Sequence, residues 1–102
     1  MERETTLACM LRVAHYERLL QRLQSVISDE GSTAEALLHA RGLADALSAY
    51  YASDVWKRDF AADEAGLLPP SLKRGVLSED GIYLALESYR ERLEEQAGAE
   101  NF

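Results

Sequence analysis

Five side chains in the middle of the chain, Trp56, Asp59, Lys73, Arg74 and Ser78, are of the types from which a small-ligand or anion site can be assembled. Lys73, Arg74, Gly75 and Ser78 stand just ahead of an expected helix N-terminus, where free amides and neighbouring cations attract phosphate. The glycine-rich spacing of a nucleotide loop is missing, so the pattern reaches a candidate ligand-binding set and no further. The same two cations have a structural use: paired with Asp59, Asp63 or Glu64, they would staple the Pro69-Pro70 loop onto the helix that carries Trp56. We read them first as that staple.

The other reactive residue types are weaker. Asp54, Asp59, Asp63, Glu64, Glu79 and Asp80 supply the oxygens a divalent cation wants, but not the Asp-x-Asp-x-Asp-Gly spacing of a calcium loop, so no metal site is assigned. Ser78 lacks the glycine-flanked elbow that exposes a hydrolase nucleophile and suits a helix cap better. His15 and His39 fall on different helices with no Ser, Cys or acidic partner at a telling spacing. Cys9, the one cysteine, shares a stripe with Val13, Tyr16, Leu20, Leu23 and Ile27 and reads as a buried thiol. No catalytic residue and no cofactor is assigned.

Composition sets outer bounds. A chain of 102 residues, 47% hydrophobic and 28% charged, is long enough for one core and is read as a single domain over 1–102. Eleven Lys and Arg against 18 Asp and Glu leave a net charge of −7, which repels phosphate backbones and argues against nucleic-acid binding. No apolar run approaches the ~20 residues of a membrane span, and Met1-Glu2-Arg3-Glu4-Thr5-Thr6 lacks the order of a secretion signal. A cytoplasmic location is expected.

The elements that must position these residues are helices. From about Glu4 to Asp29 the spacing predicts one long amphipathic helix, with Arg12, Glu17, Arg18, Gln21 and Arg22 turned away from its seam. Gly31 is expected to end it in the left-handed conformation, and Ser32 with Glu35 forms a capping box for a second helix, roughly Thr33 to Ala52. So short a link folds the two back as an antiparallel hairpin. The second helix should bury Leu37, Ala40, Leu43, Ala44, Leu47, Tyr50 and Tyr51, and Gly42, Ala46 and Ala49 should admit a close neighbour. Ser53 and Asp54 open a short helix bearing Trp56 and Phe60, which ends near Gly66 before the Leu68-Pro69-Pro70 break. Ser78 then caps a last helix, with Glu79 and Asp80 in its first turn and Ile82, Leu86, Tyr89 and Leu93 on its apolar side, fraying into a tail at about 97–102. The fold class is all-α: a long helical hairpin, a short Trp-bearing helix, and a C-terminal helix closing a small bundle.

The tract through Tyr50-Tyr51, Trp56, Asp59, Asp63-Glu64, Leu68-Pro69, Leu72 to Asp80 and Tyr83 resembles a family of small uncharacterised bacterial proteins, grouped as a domain of unknown function. The resemblance implies a shared helical fold and carries over no activity. Gly81 departs from it, standing where the family is expected to prefer alanine, and would weaken the first turn of the last helix.

Two functions follow for testing. The leading one is a non-enzymatic protein–protein interaction module, with a homodimer through the long stripe of the first helix as one form. The alternative is a small-ligand or anion binder, with an enzyme as one form, at the Trp56, Asp59, Lys73, Arg74 and Ser78 junction.

Overall fold

The structure, a computed structural model, describes residues 5–100, with side chains for 5–98. Five helices follow in order: α1 (Thr6–Ser28), α2 (Ala34–His39), α3 (Arg41–Tyr51), α4 (Asp54–Glu64) and α5 (Gly81–Glu100), with a single 3-10 turn at Gly75–Leu77. Among the described residues there is no strand, and the expected all-α bundle is what forms.

Thr5 starts α1 by accepting from the Ala8 amide, and the chain leaves it at an extended Asp29. Gly31 does not take the left-handed conformation. Asp29 makes the turn instead, its Oδ1 accepting from Gly31 N at 2.9 Å, so the aspartate side chain does what a left-handed glycine would have done. The cap of α2 is likewise one residue later than the pattern suggested: Thr33 accepts from Ala36 N, while the Ser32 hydroxyl donates back to the Val26 carbonyl at 2.8 Å.

The second expected helix is two. At Ala40 (φ −72°, ψ −7°) the amide is shared between the carbonyls of Ala36 and Leu38, a local tightening that separates α2 from α3 without breaking the ladder. Both run back along α1, with Ala36 and Ala40 near Val26, Leu43 near Arg22, and Tyr50 against Tyr16. Gly42 faces solvent, with nothing within 4 Å of where a Cβ would sit, so no helix presses on it. The tight approach belongs to Ala40 and Ala44, which are buried.

The seam of α1 enters the core as expected: Cys9, Val13, Leu20 and Leu23 are buried, with Tyr16 and Ile27 packed at its edge. It meets Leu37, Leu47 and Tyr50 from α2 and α3, Ile82, Ala85 and Tyr89 from α5, and Val76 and Leu77 from the 3-10 turn. The seam is thus spent inside the chain. α5 runs on to Glu100; the tail expected at about 97–102 overlaps its last turn, and 101–102 lie outside the described residues.

Candidate functional site

Two polar constructions sit in the tract that the sequence singled out. The first is a knot around Asp59, which is 1% exposed and carried on α4. Its Oδ2 accepts from Arg12 Nε at 2.8 Å and from the Tyr50 hydroxyl at 2.6 Å. Its Oδ1 accepts from Arg12 Nη2 and from Cys9 Sγ, the latter at 3.2 Å. Two donors on each oxygen fill the carboxylate's capacity. Burial alone would raise the Asp59 pKa, but the bonds from Arg12, Tyr50 and Cys9 outweigh it and hold the carboxyl below its ordinary value. The same carboxylate and the same burial act the other way on Tyr50: desolvation first, then the hydrogen bond to Asp59, push its phenol well above the usual range. The knot therefore keeps Asp59 ionised and Tyr50 protonated, with no oxygen left over to take a proton or hold a metal.

The knot joins three elements. Cys9 and Arg12 come from α1, Tyr50 from α3, and Asp59 from α4, and the Tyr50 ring lies flat on Tyr16, centroids 3.9 Å apart at 1°. Arg12, expected on the solvated side of α1, turns in instead, because the buried Asp59 carboxylate would be an uncompensated charge without a two-bond cationic partner.

The second construction locks the proline corner. Ser53 caps α4 by accepting from Trp56 N, and Gly66 (φ +74°) closes its other end: Gly66 N donates to Asp63 O and Leu67 N to Ala62 O. Arg74 then reaches back, donating to the Asp63 carboxylate, to Pro69 O, and through Nε to Leu72 O at 3.2 Å. The expected staple is thus Arg74 with Asp63; Asp59 belongs to the knot. Lys73 is exposed, beside a shallow hollow lined by Ala14, Glu17, Arg18, Gln21 and Leu72.

The 3-10 turn is held from both sides. Val76 N donates to Glu17 Oε1 at 3.0 Å, and Trp56 Nε1 donates to Val76 O at 2.8 Å. The half-buried indole also stacks on Phe60 at 5.3 Å and meets the edge of Tyr51 at 5.0 Å, while the Tyr51 hydroxyl donates to Glu79 O at 2.9 Å. Ser78 Oγ accepts from Gly81 N and donates to Gly75 O, both at 2.9 Å, so Glu79 and Asp80 precede α5 and do not form its first turn. Gly81 is required there. An alanine Cβ would overlap the Gly75 carbonyl oxygen and sit 2.5 Å from Ser78 Oγ, so the absence of a side chain admits the turn that a better helix former would obstruct.

Of the five candidate residues, Trp56, Arg74 and Ser78 all serve the corner, Asp59 lies in the knot behind it, and Lys73 stands apart at the surface. Cys9, Arg12, Glu17 and Tyr50 were missed as partners. One signal pointed to the knot: Asp59 occupies the apolar side of α4, between Val55, Trp56 and Ala62, where a charge implies a buried counterpart. Among the described residues no three His, Cys, Asp or Glu side chains converge as metal ligands would, and no helix is long and apolar enough to cross a membrane.

No curated protein and no solved structure matches the chain. A family model described as a domain of unknown function matches residues 13–97, taking in Tyr50, Asp59 and the whole proline corner and beginning just after Cys9 and Arg12. On that span the chain belongs to the family described as Domain of unknown function (DUF4298).

Proposed function

We propose that the chain is a non-enzymatic protein–protein interaction module, acting in the cytoplasm, that associates with itself through the outer face of α1. The observation that carries this reading is the contrast between its two surfaces. In the knot and the corner, the donors and acceptors are committed to one another, as set out above. On α1, Leu7 and Leu11 are 62% and 63% exposed, one turn apart on the side away from Cys9 and Val13. Burying a leucine side chain is worth about 1.5–3 kcal/mol, so the pair supplies part of the drive for a weak, reversible contact and the surface around it must supply the rest of the cost of association.

Sedimentation equilibrium from low to high micromolar concentration tests it. The chain should show mass above the monomer that rises with concentration, and Leu7→Ser with Leu11→Ser should return it to a monomer of unchanged helicity. A wild-type chain that stays monomeric through the high micromolar range removes self-association as its function.

A further inference from the structure

We propose that the surface which covers the outer ridge of α1 is the outer ridge of α5 on a second copy of the chain, set head to tail; this deepens the self-association reading and rests on it. Leu11, Arg18 and Arg22 follow one another on α1 at steps of seven and four residues, all exposed and opposite the buried Val13 and Leu20. Arg18 and Arg22 have no partner among the described residues. On α5, Leu84, Glu91 and Glu95 repeat the same steps, also exposed. Glu91 is unpartnered among the described residues, and Glu95 has only a 3.5 Å contact to Arg92.

Laid parallel, the two ridges match at a single axial placement. Leu11 meets Leu84, and about 10 and 16 Å further on, at 1.5 Å per residue, Arg18 meets Glu91 and Arg22 meets Glu95. The charge pattern is complementary between copies: the exposed arginines of one ridge face the exposed glutamates of the other.

The ridges are not level within one chain. Glu17 lies beside Val76, Gln24 and Ile27 lie beside Gly81 and Leu84, and Arg92 reaches the Asp29 carbonyl, so Leu11 and Leu84 are ~20 Å apart along the helices. A two-fold axis parallel to the helices preserves heights and cannot bring them together. The contact is therefore heterologous, and each copy keeps a free ridge for the next.

Charge reversal distinguishes this from any other use of α1. Sedimentation velocity at low salt compares the wild type, Arg18→Glu/Arg22→Glu, Glu91→Arg/Glu95→Arg, and an equal mixture of the two variants, each checked for native helicity by circular dichroism. The wild type should pass two copies as concentration rises; each variant alone should weaken association at least tenfold, and the mixture should regain it. If a reversed variant loses helicity, Arg18→Gln and Glu91→Gln take its place, each expected to weaken association about threefold. Association of Glu91→Arg/Glu95→Arg at wild-type strength, with the Leu7 and Leu11 variant monomeric, overturns the α5 partner and leaves the α1 surface standing. A monomeric wild type overturns both.

Discussion

Replacing Asp59 by Asn keeps the shape of the knot and removes its charge. Arg12 then loses a two-bond ionic partner, and the Tyr50 hydroxyl and Cys9 thiol lose a charged acceptor. Breaking a buried ion pair from one side costs about 3–5 kcal/mol. Because the Arg12 side chain is 22% exposed and can recover some hydration, the lower end applies, and about 3 kcal/mol is expected. Attacked from the other side, Arg12→Met strands a carboxylate that is only 1% exposed, so it should cost more than Asp59→Asn. The double variant should cost less than the sum, with coupling of about 2 kcal/mol. Urea titration followed by circular dichroism measures all three. The pH dependence gives a second reading of the same group. Since the folded pKa of Asp59 lies below its unfolded value, its contribution is complete above about pH 4 and is lost as pH falls through the lower, folded value. The wild type and Asp59→Asn should therefore converge in stability on acidification. A loss under 0.5 kcal/mol at neutral pH, or parallel acid limbs for the two proteins, would refute the account of the knot.

Two further perturbations separate the corner from its surroundings. Gly81→Ala should destabilise by about 1–3 kcal/mol despite alanine's better helix propensity, because the Gly75 backbone must move, whereas Gly42→Ala, with open space around it, should gain up to about 1 kcal/mol; thermal melting of both checks the sign. Arg74→Gln should cost about 1–2 kcal/mol and shift Trp56 fluorescence to the red as the 3-10 turn loosens, while Lys73→Gln stays within about 0.5 kcal/mol; equal effects from the two would count against the staple.

Much of this architecture is legible in the residue order because it depends on local rules. The seam of α1, the Ser53 cap, the Gly66 stop and the proline break each follow from periodicity or from a backbone preference within a few residues. What escaped depends on distance. Arg12 reads as a surface residue because its counterpart lies 47 positions away, and Glu17 reads the same way because it serves an amide on Val76. Gly81 is the sharpest case. Propensity alone treats it as a weakness in α5, while the space beside Gly75 makes it a requirement, a fact visible only once the turn is folded. The division of α2 from α3 has no residue signal, since alanine at position 40 is as good a helix former as exists.

The grip on Val76 has a consequence for how the chain tolerates change. Glu17 and Trp56 hold main-chain atoms of that residue, one its amide and the other its carbonyl. Any apolar side chain that fits the core can occupy position 76 and still be held, with proline barred because it has no amide to offer. An extra residue between Gly66 and Gly75, by contrast, would present a different peptide unit to both clasps and slip the start of α5 along α1. At position 76 the corner thus reads the main chain and its place along the loop, while Gly66, Arg74 and Gly81 around it are held to their identities.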